Sequence, residues 1–183
     1  MGFKAVGQDL GKTWGWSVIH DLGGPAPTII WGEESAGNDA TTNASSGMIY
    51  HTYQVWLRGF LDREEPDLLV YESVRFTRGV SYIEGQKGIL LAELEARGIP
   101  YYGLPIGTLK KWAAGHGKAK KYHVMSAVTW LWQDTFLQPK PWDMRKKLTD
   151  NMADALWCAH HGWATGVLDP PSIVHPQDNG PSV

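Results

Sequence analysis

Four carboxylates stand where a fold could bring them together. Asp9 ends the apolar segment FKAVGQD, and Glu72 ends a second apolar segment, LLVYE. Asp150 and Asp154 are four residues apart in a segment of helical character, so they share one helix face. A carboxylate held beside others is costly unless a cation or a donor neutralises it. Oxygen-rich clusters suit Mg²⁺ or Mn²⁺, and two such ions about 4 Å apart can clamp a scissile phosphate.

Each acid also has a structural explanation when it is considered alone. Asp9 could cap the turn after its strand, and Asp150 could be a helix N-cap beside Thr149. His160 and His161 follow Asp154 by nearly two helical turns and are weaker ligand candidates. The metal-site hypothesis therefore depends on the elements that position the acids.

Hydrophobic patterning and breaker residues predict those elements. Strands are predicted at 3–9, 14–20, 28–32, 68–72 and 99–104, and helices at 45–61, 81–97, 106–113, 120–136 and 149–164. Strands first, followed by alternation of strand and helix, are typical of an α/β fold with a mixed five-stranded sheet flanked by helices.

Length and composition indicate one folded domain. With 183 residues, we expect a domain over 1–166 and a Pro-rich, poorly ordered tail over 167–183. No apolar run is long enough for a membrane span, and the N-terminus lacks a secretory apolar stretch, so an intracellular location is predicted. The single cysteine, Cys158, excludes a disulfide framework and a cysteine-based zinc site.

The charge is unevenly distributed. The net charge is −2, yet nine of the 17 Lys and Arg residues lie between Lys110 and Lys147, with only Asp134 and Asp143 among them. Such a window can concentrate positive field on one surface, as a nucleic-acid ligand requires, or it can be a solvated charged face. The ten tryptophans are consistent with either core packing or stacking on bases.

Four segments resemble, in order, the signature regions of RuvC-type Holliday junction resolvases. They are AVGQDLGKTWGWSVI, LLVYESVRFTRG, GIPYYGLPIGTLKKWAAGHGKAKKYHVM and TDNMADALWCAHHG. The similarity covers nearly the whole chain and is nearest to the phage-type branch, which implies a phage-encoded protein as one origin. It implies an RNase H-like fold and a homodimeric endonuclease that cuts branched DNA. It further implies two Mg²⁺ ions per site, with Mn²⁺ as substitute, and products with 5′-phosphate and 3′-hydroxyl ends.

The resemblance assigns the acids residue by residue. Asp9, Glu72 and Asp154 match three metal-binding acids of the family. The family's remaining acid lies three residues before the last one, where this chain has Asn151. Asp150, one residue upstream, faces the same side of a helix and is the predicted fourth ligand, while Asn151 remains a candidate neutral oxygen donor.

Basic and aromatic residues match the family's DNA contacts. Lys110 and Lys121 match catalytic lysines near the scissile phosphate, and Phe76 matches an aromatic wedge for the junction centre. Core packing is an equally open explanation for Phe76. The other predicted DNA-binding residues are Arg75, Arg78, Lys111, Lys118 and Lys120.

Other functions stay open at this point. Residues 9–13, Asp-Leu-Gly-Lys-Thr, are similar to a phosphate motif of sugar-kinase and actin-like ATPases, although 183 residues are too few for their duplicated fold. A junction-binding protein without catalysis is a second alternative, and an RNase H-like nuclease for flaps or RNA–DNA hybrids is a third. A branch-migration motor as partner is also left open.

Overall fold

The computed structural model describes residues 2–24, 26–36, 45–73, 81–132 and 148–168. Within these ranges it contains five strands: β1 (Phe3–Asp9), β2 (Thr13–Asp21), β3 (Thr28–Ser35), β4 (Leu68–Ser73) and β5 (Tyr101–Pro105). The helices in the same ranges are α1 (Ser46–Glu64), α2 (Ser81–Arg97), α3 (Ile106–Ala114), α4 (Lys121–Trp132) and α5 (Asp150–Leu168).

The strands form one mixed sheet in the order β3-β2-β1-β4-β5. β1, β2 and β3 pair antiparallel, whereas β4 pairs parallel with both β1 and β5. Because parallel strands run in the same direction, the carboxyl ends of β1 and β4 meet at the same edge of the sheet. This is the predicted fold class, a mixed five-stranded sheet flanked by helices.

Alternating side chains give the sheet two buried faces. Val6 and Leu69 point toward α1 and α2, in a core with Leu57 and Leu90. Val70, the next residue on β4, points to the other face, where helices α3, α4 and α5 supply the core residues Leu109, Val124 and Leu156. The protein therefore has three layers, with α1 and α2 on one side and α3–α5 on the other.

Element boundaries depart from the sequence predictions at the ends of β3, α1 and α5, and β3, predicted at 28–32, continues to Ser35. α1 continues to Glu64 because Glu65 adopts a left-handed φ of 45° and its N–H bonds to the Leu61 carbonyl. α5 continues to Leu168, so Val167 and Leu168, which we assigned to the tail, are helical. The rest of the predicted tail, and residues 133–136 of the predicted helix 120–136, lie outside the described residues. No helix in the described ranges is both long and apolar enough to cross a membrane.

Candidate active site

Asp9 and Glu72 are neighbours at the carboxyl end of the parallel pair β1–β4. Gln8 is opposite Tyr71 in the strand register, so the next residue on each strand places the two acids side by side. Both residues are only 9% exposed. Side chains alternate along a strand, so Asp9, two residues after Gly7, and Glu72, two residues after Val70, lie on the face of the sheet that α5 covers.

Burial and mutual repulsion change the protonation of this pair. Burial raises the pKa of Asp9 well above its ordinary value, and the charges of Glu72 and Asp154 raise it further. Burial also raises the pKa of Glu72, although the hydrogen bond from Asp9 and the charges of Lys110 and Lys121 oppose this. Contact between the two carboxyl groups raises the pKa of Asp9 and lowers that of Glu72, because neighbouring carboxyl groups share a proton unless a cation neutralises them.

Helix α5 brings the third and fourth acids to the same place. Thr149 is its N-cap: the Thr149 Oγ1 accepts from the Met152 N–H at 3.2 Å and donates to Glu33 Oε2 of β3 at 2.8 Å. Asp150 is therefore the first helical residue, and its explanation as the N-cap is wrong.

Asp154 lies one turn further along α5 and is electrostatically coupled to the strand pair. Its pKa is raised to about 7, first by burial and then by the charges of Glu72 and Asp150. The positive charges of Lys121 and Lys110 oppose this rise. The acids of β4 and α5 therefore form one electrostatic cluster.

Lys121, the first residue of α4, forms an ion pair with Asp150. The hydrogen bond from Lys121 lowers the pKa of Asp150, although burial opposes this, and the Asp150 carboxylate raises the pKa of Lys121. The Lys121 side chain is 74% exposed, so water screens the pair and its contribution to stability is small. The ammonium is therefore held near the acids and is still free to exchange partners.

The donor set fits a hard divalent cation. Within the described residues, no three His, Cys, Asp or Glu side chains already converge as a metal site. The Glu72 Oε1 oxygen is nevertheless buried without a hydrogen-bond partner, and three further carboxyl groups act on the same region. Carboxylate oxygens without donors are the ligands that Mg²⁺ and Mn²⁺ prefer.

Asn151 and the two histidines have other partners. Asn151 Nδ2 donates to the Thr13 carbonyl of β2 at 3.3 Å. His160 Nδ1 accepts from the Trp112 indole at 2.9 Å, and burial, with a smaller effect of His161, lowers the pKa of His160 to about 4. His161 Nδ1 is 2.7 Å from the Tyr102 hydroxyl. The histidines therefore pack α5 against α3 and β5.

The basic residues next to the site lie at the end of α3, the start of α4 and the loop between them. Lys111, Lys118 and Lys120 are exposed. α3 ends at Gly115, whose φ of 82° suits glycine and whose N–H bonds to the Lys111 carbonyl. Arg75, Phe76 and Arg78 lie outside the described residues, as does the part of the basic window after residue 132.

Sequence reasoning missed the residues that seat α5 on the sheet. Gly7 of β1 and Gly15 of β2 lie directly beneath the α5 backbone, and Ser17 Oγ donates to the Ala155 carbonyl at 2.9 Å. Small residues at alternate positions of a strand, as in Ala5-Val-Gly7 and Gly15-Trp-Ser17, are the signal that could have indicated a close helix.

The sequence and the fold are similar to those of known proteins. No family model matches the sequence. The crossover junction endodeoxyribonuclease RuvC of Chloroflexus aggregans is 30% identical over 159 residues, which cover 84% of this chain and 88% of that protein. Thermus thermophilus RuvC in complex with Holliday junction substrate has a TM-score of 0.68 at 20% identity, covering 90% of this chain and 96% of that one. The yeast mitochondrial Holliday junction resolvase has a TM-score of 0.57 at 15% identity, covering 87% and 76%.

The mixed five-stranded sheet with its flanking helices, together with the similarity to these structures, defines an RNase H-like α/β fold. At 30% identity over most of both sequences, the chain belongs to the RuvC family of crossover junction endodeoxyribonucleases. This confirms the family resemblance and makes the kinase-like ATPase hypothesis wrong. The phage-type branch and the intracellular location stay predictions.

Proposed function

We propose that the chain is a metal-dependent endodeoxyribonuclease that resolves four-way DNA junctions. The observation that carries the proposal is the buried carboxyl pair of Asp9 and Glu72, which acts together with Asp154 of α5. The family's activity and the junction substrate bound by the Thermus relative support this choice of substrate.

The carboxyl groups that would hold metal are those of Asp9, Glu72 and Asp154, with Asp150 as the fourth. An all-oxygen donor set of this charge suits Mg²⁺, with Mn²⁺ as a substitute, and four carboxylates carry enough charge for two ions. Bound ions would supply the Lewis acidity that phosphodiester hydrolysis needs at neutral pH. The partnerless Oε1 of Glu72 supports this assignment, since its burial is otherwise uncompensated.

The two lysines would hold the scissile phosphate. Lys121 can move from Asp150 to a phosphate oxygen because its side chain is largely exposed. Lys110 of α3 acts on the same acids from another helix, as its effect on Glu72 and Asp154 indicates. Both would stabilise the negative charge that grows as water attacks phosphorus and the 3′-oxygen leaves, giving 5′-phosphate and 3′-hydroxyl ends.

Resolution of a junction requires two nicks, which a homodimer would make with one site per subunit. Lys111, Lys118 and Lys120 would follow phosphates of a junction arm, since phosphate contacts supply most of the affinity for DNA. Phe76 between Arg75 and Arg78 would contact the junction centre. Residues 1–166 would form the nuclease domain, which α5 extends to Leu168.

A substrate panel tests the proposal. A four-way junction, a flap, an RNA–DNA hybrid and a linear duplex of the same sequence are incubated with Mg²⁺, with Mn²⁺ or with EDTA, and the 5′ ends of the products are mapped. We expect symmetric nicks in the junction with either cation and none in EDTA. The Asp62→Asn variant is a matched control, because Asp62 is an exposed acid paired with Arg97 away from the site.

Each other outcome identifies an alternative. Faster cleavage of the flap or the hybrid would favour a different RNase H-like nuclease. Tight junction binding without cleavage under either cation would favour a catalytically silent binding protein.

A further inference from the structure

Helix α5 carries two of the four acids, so its depth and rotation on the sheet decide where they point. A Cβ added to Gly15 would lie 2.1 Å from the Asn151 carbonyl oxygen, and one added to Gly7 would lie 1.8 Å from the Ala155 carbonyl oxygen. Backbone therefore lies directly against backbone, which fixes the depth of the helix. A smooth contact of this kind does not by itself fix the rotation.

Two side-chain hydrogen bonds cross the same contact, and each lies next to an acid in the sequence. Asn151, which follows Asp150, donates from Nδ2 to the Thr13 carbonyl at 3.3 Å. Ser17 is fully buried and donates from Oγ to the carbonyl of Ala155, the residue after Asp154, at 2.9 Å. Hydrogen bonds are directional, so this pair, together with the Thr149–Glu33 bond at the start of α5, constrains the rotation that the glycine contact leaves free.

We infer that Asn151 and Ser17 are positioning residues that hold the acids of α5 toward Asp9 and Glu72. The inference rests on the proposed function, because it concerns the same carboxylate site. It also explains why position 151 has an amide where the family resemblance leads one to expect an acid.

An aspartate at position 151 could not do what the asparagine does. An ionised carboxylate has no N–H or O–H to donate, and it would repel the Thr13 carbonyl oxygen. Asp150, one residue upstream and held by Lys121, can provide the fourth carboxylate instead. In this chain the proposed metal ligand, Asp150, and the positioning residue, Asn151, are thus adjacent residues with separate roles.

The decisive variant is Asn151→Asp, because the two interpretations of Asn151 predict opposite results. A positioning donor replaced by Asp should slow single-turnover cleavage of bound junction about tenfold or more, since small misplacement of a reacting group is costly. Junction affinity in EDTA should change less than about threefold, and Mn²⁺ binding without DNA, measured by calorimetry, should weaken although a carboxylate was added. Unchanged or tighter Mn²⁺ binding with retained cleavage would make Asn151 a ligand position and overturn the inference.

Ser17→Ala tests the second positioning residue and should also slow cleavage more than it weakens junction binding. Thr165→Ala is the matched control, because its hydroxyl donates to the His161 carbonyl at 2.7 Å on the same helix, far from the acids. We expect Thr165→Ala to cleave at the wild-type rate. Equal loss of cleavage in Ser17→Ala and Thr165→Ala would show a general effect on α5 and overturn the role of Ser17.

A readout without metal or DNA separates this inference from the proposed function. Amide hydrogen exchange over residues 150–156 should be faster in Asn151→Ala and Ser17→Ala than in Thr165→Ala. If the wild type cleaves no substrate, the proposed function fails, but the exchange result still shows whether Asn151 and Ser17 hold α5 in place. If both variants cleave normally and exchange over these residues is unchanged, the positioning role of Asn151 and Ser17 is refuted and the proposed function stands.

Discussion

The two faces of the sheet bury their helices by different means. Toward α1 and α2, contact is made by large rings, with Trp14 and Tyr53 packed edge-on at 5.3 Å between ring centroids and Trp16 5.4 Å from Phe60. Toward α5, the sheet has Gly7 and Gly15, and its backbone packs directly against the backbone of the helix. A layer of rings can readjust when one side chain changes, whereas the glycine contact fixes the depth of α5 on the sheet.

This difference indicates that the candidate site lies on the face where the helix, α5, can shift least relative to the sheet. A site must hold its groups within about 0.5 Å of the productive geometry, and a direct backbone contact achieves this with few residues. The face of α1 and α2 contributes core burial, since its largest side chains are fully covered.

Carboxylates on the two sides of the sheet differ in the same way. Glu93 of α2 accepts hydrogen bonds from Arg97 at 2.5 Å, Arg58 at 2.6 Å and Gln54 at 3.2 Å. Asp154 of α5 is coupled mainly to other acids, and its pKa rises to about 7, first through burial. The first acid is compensated by hydrogen-bond donors within the chain, whereas the charges of Lys121 and Lys110 only partly offset the rise in the pKa of the second, as expected for a group that binds a cation.

The largest expected effect comes from breaking the site on the α5 side. Asp9→Asn and Glu72→Gln should each lower junction cleavage more than about 100-fold, beyond the usual cost of losing a residue that only orients a metal ligand. Junction binding should be kept or improved, because removing a negative charge reduces repulsion of phosphate. Single-turnover cleavage and gel-shift affinity, measured with Mg²⁺ and with EDTA, check this. Near-normal cleavage by either variant would place the active site elsewhere.

A glycine pair compares the α5 contact with an exposed helix position. Gly7→Ala should destabilise the fold by about 3 kcal/mol, the upper end for overpacking, because the Ala155 backbone has no room to move aside. Gly59→Ala in α1 is the control: no heavy atom lies within 4 Å of its added Cβ, so it should stabilise by about 0.5–1 kcal/mol. Urea unfolding measures both. Equal stabilities of the two variants would refute the idea of an inflexible α5 contact.

The sequence predicted which elements exist and that strand-end acids terminate two of them, because both depend on local patterns. Short apolar segments marked β1 and β4, and their parallel pairing in the fold places Asp9 beside Glu72. Glu65 was harder to anticipate as a helix end, because a left-handed glutamate is uncommon and depends on the chain around it.

The way α5 is seated could not be read from local patterns. Thr149 binds Glu33, 116 residues earlier in the chain, and Ser17 binds Ala155, 138 residues later. Interactions of such separation depend on the packed fold, and propensity carries no information about them. The lysines of the basic window were visible from composition, but only the fold showed that Lys121 contacts Asp150.

Removing the compensated carboxylate should weaken the fold on the side of α1 and α2. Glu93→Gln should cost about 2 kcal/mol at pH 7, since it loses charge-assisted hydrogen bonds from Arg97 and Arg58. Burial alone would raise the pKa of Glu93, but the bonds from Arg97, Arg58 and Gln54 hold it below its ordinary value. The stability it provides is therefore present above that ordinary value and is lost as pH falls through the lowered pKa. Unfolding at pH 7 and pH 3 should show the variant's deficit shrinking in acid.

The exposed lysines between α3 and α4 should affect binding more than chemistry. The double variant Lys118→Ala/Lys120→Ala should reduce the log–log salt slope of junction affinity by roughly 1.8, about 0.9 for each phosphate that is no longer neutralised. Lys87→Ala of α2 is the control on the other side of the sheet and should leave the slope unchanged. Affinity measured across a salt series checks both. An unchanged slope in the double variant would place the DNA on another surface.

The smallest effect should be a gain in stability at the site itself. Burial, with the charges of Glu72 and Asp150, raises the pKa of Asp154 from 3.8 to about 7, so between these values the folded state keeps a proton that the unfolded state releases. The stability linked to this proton is full at low pH and is lost as pH rises through about 7. The variant Asp154→Asn has a neutral side chain at every pH and therefore does not undergo this loss of stability. In EDTA at pH 8 it should be more stable than the wild type by about 1 kcal/mol, or roughly 2–4 °C in Tm.

Two controls accompany this measurement on Asp154→Asn. At pH 4 the two proteins should unfold alike, and Mg²⁺ should stabilise the wild type more than the variant. Equal Tm values at pH 8 in EDTA would mean that Asp154 is compensated within the chain, as Glu93 is, and would remove the contrast between the two faces.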